Sequence, residues 1–287
     1  MVFKIAGSIS CAFWLKVYSN VLNVFITVFA FNYDENLNTG VLGMGSSQWF
    51  ELQERLSAVE VLRVLKKKHT YEDLSRMLNL PVSVLNRYVM GRVVPRIDRA
   101  RRILRFFEEK FDLVKELRDR IKFDKTGYFD NTPIVFDIPM LKLIVKSVIG
   151  KYAYKKVSKV LTASTDGIPI AALFASELGV DLVYAKKEKE VGISEFLEES
   201  YIPSSSGVYV SLYLPKGAII SSDRVLIVDD IIRSGETQRA LVNLVKKAGA
   251  RLVGIFILIA VGNLWKNYIA LQKDAPMDIF VQIEPPT

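Results

Sequence analysis

The sequence predicts an α/β protein in which a small all-helical domain precedes a larger domain built on a mainly parallel sheet. Two observations support this prediction. Apolar residues recur at helical spacing before residue 110, and segments typical of strands and helices alternate after residue 157. A length of 287 residues is also more than one small domain needs and suggests about two domains.

The first 43 residues differ from the rest of the chain. Residues 5–31 are nearly uncharged, with Lys16 as the one charged side chain, and their length would cross a bilayer. Polar residues such as Asn20 and Asn23 dilute this apolar run, and a different sequence style begins at Met44. We interpret residues 1–43 as an apolar extension from a mis-assigned start. A membrane segment and a helix packed on the main body are the alternatives, and a membrane partner is not expected.

Positive charge is concentrated in the middle of the chain. Residues 44–125 hold 19 Lys and Arg against 12 Asp and Glu, whereas residues 126–287 hold 18 against 17. Such asymmetry favours a polyanionic partner, with duplex DNA as the first candidate, although a solvated basic surface would have the same composition. One cysteine and one histidine exclude an internal disulfide and a Cys/His metal site, and a cytoplasmic location fits this composition.

Residues 44–127 are predicted to form the helical domain and a helical linker. A first amphipathic helix would end near Lys66. Thr70 can then cap a second helix that ends at Leu78, because Asp73 stands three residues later, as in a capping box. A turn at residues 79–81 would lead into a third helix over residues 82–90, with Ser83 as its cap.

The second and third of these helices resemble the repressor-like helix-turn-helix family. A small core would form from Leu74, Leu78, Leu80, Val84 and Leu85. The resemblance implies that the helix over residues 82–90 enters the major groove of duplex DNA, and that the protein acts as a dimer. An ordinary helical hairpin packed on the second domain is the alternative. The candidate DNA-binding residues, which would then point outward, are Ser83, Asn86, Arg87 and Arg92.

Residues 128–287 are predicted to form the α/β domain. Strands are expected at 159–162, 182–185, 224–228 and 252–258, and helices at 168–178 and 237–248. This order implies parallel strands joined by right-handed crossovers. The alternation of apolar residues over 208–214 indicates a hairpin arm.

One segment of this domain, VLIVDDIIRSGET at residues 225–237, combines three features. An apolar strand is followed by two acids and then by a loop at a helix start. The loop amides and the helix dipole can hold a phosphate, and two carboxylates can accept hydrogen bonds from vicinal hydroxyls. A solvated acidic turn is the alternative. The candidate ligand-binding residues of this segment are Asp229, Asp230, Arg233, Ser234, Gly235, Glu236 and Thr237.

The same segment resembles the phosphoribosyl pyrophosphate-binding motif of type I phosphoribosyltransferases. The resemblance implies a type I phosphoribosyltransferase fold, in which the acid pair holds the ribose hydroxyls and the loop holds the 5-phosphate. In an active enzyme, Asp229 and Asp230 would also be the catalytic residues, because one such acid is thought to assist charge build-up at the ribose carbon. No tightly bound cofactor or protein metal site is expected, although Mg2+ would accompany phosphoribosyl pyrophosphate.

A second segment, residues 161–190, resembles the pyrophosphate loop and the following helix of adenine- and orotate-type members. The implied pyrophosphate ligands are Ser164, Thr165, Asp166 and Gly167 in the loop, followed by Lys186 and Lys187 after the next strand; a solvated turn is the alternative for the lysines. Many enzymes of this group carry an acid and then a base in the loop. Asp166 instead places a negative charge there, at a cost of about 1 kcal/mol or more near ~4 Å.

The combined layout resembles that of purine-operon repressors and of archaeal regulators built on the same domain. It predicts a homodimeric, DNA-binding transcription regulator that senses phosphoribosyl pyrophosphate or a related nucleotide effector. The alternative is an active purine or orotate phosphoribosyltransferase with an unusual N-terminal domain. The unusual Asp166 favours a sensor over an enzyme, whereas the intact segment 225–237 keeps the enzyme open.

Overall fold

A computed structural model describes residues 46–203, 207–269 and 275–285. The apolar extension expected over residues 1–43 lies outside these ranges. Within them, every helix is too short or too polar to cross a membrane.

The N-terminal part of the described chain is helical, as predicted. Its apolar side chains face one another, and the first helix packs against the third and the fourth. Leu74, Leu78, Leu80 and Leu85 are buried as expected, with Val84 packed against them. The helices are α1 (Ser46–Lys66), α2 (Tyr71–Leu78), α3 (Val82–Val89), α4 (Ile97–Lys110) and α5 (Leu113–Arg120).

The two helix starts of the helix-turn-helix differ in how well the sequence predicts them. Helix α2 begins with the expected capping box, because the Thr70 side chain accepts from the Asp73 N–H and the Asp73 carboxylate accepts from the Thr70 N–H. The prediction that Ser83 caps α3 is wrong. Pro81 occupies the N-cap, with φ −58° and ψ 141°, and Ser83 lies inside the first turn. The proline ring fixes φ, so it can start this helix without a side-chain cap.

Three short helices connect the helical part to the sheet: α6 (Thr132–Val135), α7 (Ile138–Val148) and α8 (Gly150–Ala153). Helix α7 packs against both α1 and a helix of the sheet domain. As a result, one set of buried apolar side chains runs without interruption from the helix-turn-helix to one face of the sheet.

The sheet has five parallel strands, which confirms the predicted fold class. The elements are β1 (Lys159–Ala163), α9 (Ile168–Leu178), β2 (Asp181–Ala185), β5 (Arg224–Ile232), α10 (Glu236–Lys247), β6 (Arg251–Val261), α11 (Trp265–Ile269) and β7 (Met277–Ile283). The strand order is β2-β1-β5-β6-β7, with β5 at the centre. Strand β7 is one that the sequence pattern did not indicate.

An antiparallel hairpin stands apart from the main sheet, in the region where an arm was predicted. It consists of β3 (Phe196–Tyr201) and β4 (Val210–Pro215). A bridge between Tyr213 and Lys186 ties the hairpin to the end of β2. The arm therefore begins beside the carboxyl ends of the parallel strands.

Candidate functional site

A cleft of about 450 Å³ opens at the carboxyl ends of β1 and β5. Because these strands are neighbours and parallel, the loops that follow them meet at one edge of the sheet. This topology brings together the two segments that the sequence singled out, although they are about 65 residues apart. The predicted ligand residues that line the cleft are Ser164, Thr165, Asp166, Gly167, Lys187, Asp229, Asp230, Arg233, Ser234, Gly235, Glu236 and Thr237.

The two acids at the end of β5 are buried and held by neutral amides. Gln238 Nε2 donates to Asp229 Oδ2 at 2.7 Å, and Asn131 Nδ2 donates to Asp230 Oδ2 at 2.7 Å. Burial is the largest cause and the negative charge of Asp230 is the second; together they raise the pKa of Asp229 well above its ordinary value. The pKa of Asp230 is also raised, mainly by burial and secondly by the negative charge of Asp166. The acid pair is thus positioned to accept hydrogen bonds but is poorly compensated by positive charge.

Gly167 leaves room for this acid pair. A Cβ at this position would lie 2.3 Å from Thr162 Oγ1 and 2.4 Å from Asp229 Oδ1, well inside contact distance. The backbone of Gly167 is in the ordinary right-handed region, with φ −71°. The position therefore needs a glycine for space and not for backbone freedom.

The loop between β5 and α10 has the form expected of an anion site. Gly235 has φ +90°, a left-handed conformation that favours glycine, and it is the N-cap of α10. The Thr237 hydroxyl lies 2.9 Å from the Tyr201 hydroxyl at the end of β3, so the arm contacts the start of this helix. The positive end of the helix dipole and the Thr237 hydroxyl both favour an anion here.

Arg233 is held by residues upstream of the sheet. Its Nη1 donates to the Gly127 carbonyl at 3.2 Å, and its guanidinium lies 4.7 Å from the centre of the Tyr128 ring. Burial lowers the pKa of Arg233, although the side chain stays charged at neutral pH.

The two lysines after β2 are placed differently. Lys187 lines the cleft. Lys186 pairs with Glu190 at 2.7 Å, lies over the Tyr184 ring and lines a separate pocket of about 230 Å³. Neighbouring residues at a strand end point to opposite sides, so both lysines cannot face one cleft without a change in the backbone.

Sequence reasoning missed three polar side chains of the cleft: Asn131, Tyr201 and Gln238. Gln238 had a usable signal, because it lies in the first turn of a helix that follows an acid pair and can fold back towards it. Asn131 had none, since it is 99 residues from its partner Asp230.

The candidate DNA-binding residues share one face of α3 and the turn after it. Ser83, Asn86, Arg87 and Arg92 are all exposed, whereas Leu85 and Tyr88 of the opposite face are buried. The Tyr71 hydroxyl is 3.4 Å from Asn86 Oδ1 and links α2 to this face. In the described ranges, neither Arg87 nor Arg92 forms an ion pair, so both can meet phosphates or base edges.

Two family models match separate parts of the chain. The phosphoribosyl transferase domain matches residues 136–285, and a helix-turn-helix matches residues 60–114. The chain is 34% identical to the xanthine phosphoribosyltransferase of Alkaliphilus metalliredigens over 127 residues, which cover 44% of this chain and 63% of that protein. It is 32% identical to the xanthine phosphoribosyltransferase of Streptococcus pyogenes serotype M5 over 124 residues, which cover 43% and 64%. The matches therefore span less than two thirds of these relatives.

Solved structures with the same fold include two adenine phosphoribosyltransferases. The one from Thermoanaerobacter pseudethanolicus has a TM-score of 0.53 at 22% identity, covering 59% of this chain and 99% of that chain. The one from Rhodothermus marinus has a TM-score of 0.53 at 24% identity, covering 60% and 98%. At this identity the similarity is one of fold.

Proposed function

Because the chain belongs to the phosphoribosyl transferase domain family and also carries a helix-turn-helix, we propose that it is a DNA-binding transcription regulator whose second domain senses phosphoribosyl pyrophosphate or a related nucleotide. The observation that carries this proposal is the exposed polar and basic face of α3, on the same chain as a cleft suited to ribose phosphate. We assign DNA binding to residues 44–127 and ligand binding to residues 128–287.

On DNA, α3 would lie in the major groove. Asn86 has the amide geometry that recognises adenine, and Arg87 and Arg92 suit guanine or phosphate oxygens. Ser83, in the first turn of α3, can bind a phosphate or a base edge. A homodimer would present two such helices to half-sites about one helical turn apart. A DNA partner and a phosphorylated effector together imply a cytoplasmic protein.

In the cleft, we assign the 5-phosphate to residues 233–237 and the ribose hydroxyls to Asp229 and Asp230. Residues 164–167 and Lys187 would face a pyrophosphate, and Lys186 would join them after a change in the backbone that follows β2. Carboxylates are suitable Mg2+ ligands, but the described residues form no group of three acids, histidines or cysteines placed to hold a metal. We therefore treat Mg2+ as entering with phosphoribosyl pyrophosphate.

An active phosphoribosyltransferase is the second candidate. The intact acid pair and phosphate loop favour it, and so do relatives named as xanthine phosphoribosyltransferases. Asp166 favours the sensor, because it adds a third negative charge beside the acid pair. Incubation with phosphoribosyl pyrophosphate, Mg2+ and a panel of purine bases and orotate separates the two. Nucleotide formation at an enzymatic rate would establish the second candidate.

Sequence-specific DNA binding with a strong salt dependence is the direct test of the regulator. Duplexes selected from a random pool should bind, and Arg87→Ala or Arg92→Ala should each weaken binding by about 1–3 kcal/mol, which is roughly five-fold to a hundred-fold. An arginine that contacts phosphate should also reduce the salt slope by about one. The measurement is fluorescence anisotropy over a salt series.

Arg76→Ala is the matched control for this experiment, because Arg76 is an exposed arginine of α2 that pairs with Asp73. It should change DNA affinity less than the α3 variants do. Failure of the full chain to bind any duplex at low salt would refute the regulator.

Substitution of Asp166 tests why a pyrophosphate loop carries an acid. Asp166→Arg should tighten phosphoribosyl pyrophosphate binding by roughly thirty-fold, since it removes a repulsion and adds an attraction of about 1 kcal/mol each. Asp166→Asn should give about half of that free energy. Calorimetry with Mg2+ present measures both, and ribose 5-phosphate, which lacks pyrophosphate, is the control ligand. An equal gain for both ligands would contradict a role at the pyrophosphate.

A further inference from the structure

A side-chain amide is hydrogen-bonded to one of the two carboxylates that are proposed to bind the ribose. Asn131 Nδ2 lies 2.7 Å from Asp230 Oδ2 and 3.4 Å from Asp166 Oδ2. Asp230 is only 8% exposed, so little of its surface remains for a second donor. A ribose hydroxyl that approaches Asp230 must therefore compete with Asn131 or move it.

Asn131 starts a short segment that is tightly bonded within itself. Its carbonyl accepts from the backbone N–H groups of Ile134 at 2.9 Å and Val135 at 3.0 Å, and the Asp137 N–H donates to the Ile134 carbonyl at 3.1 Å. Ile134 and Val135 are buried. A displacement of Asn131 is thus expected to move residues 131–137 together and not to be absorbed by a flexible loop.

The other end of this segment lies in an ion-pair network with the helix-turn-helix domain. Asp137 Oδ1 pairs with Lys67 at 2.6 Å, and Asp137 Oδ2 pairs with Arg120 at 2.7 Å. Arg120 also contacts Glu116, which pairs with Lys68 at 2.6 Å. The side chains of Asp137 and Glu116 are 4% and 8% exposed, so solvent screens these pairs less than it screens surface pairs.

Lys67 and Lys68 connect this network directly to the DNA-binding helices. They lie between the end of α1 and Thr70, the N-cap of α2. A shift of Asp137 would therefore act on the first helix of the helix-turn-helix at its start, and α3 packs against that helix.

We infer that residues 131–137 couple the ribose site to the helix-turn-helix. A ligand whose hydroxyl replaces the hydrogen bond from Asn131 to Asp230 would favour a different position of Asp137 relative to Lys67 and Arg120. This change would shift the population of helix-turn-helix conformations. This inference rests on the proposed function, since it supplies the means by which an effector alters DNA binding. It makes Asn131 a ligand-responsive residue of the cleft and Asp137 a positioning residue.

Hydrogen–deuterium exchange on the full chain tests the coupling without any need for an operator. The probe is phosphoribosyl pyrophosphate with Mg2+. We expect saturation to change amide exchange in residues 67–91 by at least five-fold, the lower end of typical coupling factors. Asp137→Asn and Lys67→Met should reduce this change to less than about two-fold. Because coupling is reciprocal, the affinity of these variants for the probe should change by no more than about the coupling factor of five. Lys67→Met retains the Asp137–Arg120 pair, which protects the fold if Asp137→Asn is unstable.

Lys142→Met is the matched control. Lys142 also joins the two domains, through Glu60 at 3.5 Å, but it lies outside the network of Asp137. This variant should keep the full exchange response. Probe binding without a response in the parent protein, or an undiminished response in Lys67→Met, overturns the coupling alone. Absence of probe binding overturns the ribose site, and with it both the proposed effector and this inference.

Discussion

Replacement of both Asp229 and Asp230 by asparagine is expected to weaken phosphoribosyl pyrophosphate binding by about a hundred-fold or more. The amides keep the volume of the acids but lose charge-assisted hydrogen bonds to the ribose hydroxyls, worth about 1.5–3 kcal/mol each. Since each 1.4 kcal/mol is ten-fold in affinity, two such losses are enough for this effect. Calorimetry with Mg2+ present measures it.

The same variant should be more stable than the parent protein when no ligand is present. Burial and neighbouring charge raise the pKa of both carboxyls in the folded protein, so the folded state holds protons more tightly than the unfolded state. The protonated carboxyls therefore add to the free energy of unfolding at low pH, and this contribution is lost as the pH rises through their raised pKa values. Asparagine does not titrate. The Tm of the variant should therefore exceed that of the parent at neutral pH, and the difference should shrink towards about pH 4.

Asp223→Asn is the matched control for the double variant. Asp223 is also buried, but it lies just before the opposite end of β5, where it accepts from Ser158 and from the Ile220 N–H. It should affect stability and not ligand affinity. If the double variant binds phosphoribosyl pyrophosphate as tightly as the parent, the ribose site is not at residues 229–237. DNA binding by the double variant should persist but lose its response to the ligand.

The parts of the structure that were predicted correctly depend on local chemistry. The capping box needs only Thr70 and Asp73, and the parallel sheet follows from strands and helices that alternate along the chain. The acid pair was recognisable because an apolar strand, two acids and a glycine-containing loop are consecutive in sequence. In each case, the signal lies within one element or in the alternation of consecutive elements.

The parts that were missed or misjudged depend on tertiary geometry. Asn131 reaches Asp230 across 99 residues, and no periodicity in the sequence reports such a contact. The direction of Lys186 depends on where β2 ends and on the bridge to Tyr213 in the arm. The error over Ser83 is a local one. The prediction relied on the hydroxyl of Ser83 as a cap. Pro81 comes two residues earlier, and its fixed φ already suits the start of a helix.

Gly167→Ala is expected to produce a second large loss, at least ten-fold in affinity for phosphoribosyl pyrophosphate. The added methyl group would lie 2.4 Å from Asp229 Oδ1 and 2.3 Å from Thr162 Oγ1, both buried. These side chains are short and enclosed, so they can give way only by moving the carboxylate that is proposed to hold the ribose. A loss of about 1.4 kcal/mol would already be ten-fold, and overpacking of this kind typically costs about 1–3 kcal/mol in stability as well.

Gly179→Ala separates the loss of stability from the loss of affinity, because Gly179 stands at the other end of the same helix, α9. It has φ +67°, and an added Cβ would meet nothing within 4 Å. Alanine there strains the backbone and lowers the Tm, at a cost of about 1 kcal/mol, but it leaves the cleft intact. Calorimetry and thermal unfolding on both variants should show reduced Tm for each and reduced affinity for Gly167→Ala alone. Equal affinity in the two variants would mean that the position of the Asp229 carboxylate does not determine ligand binding.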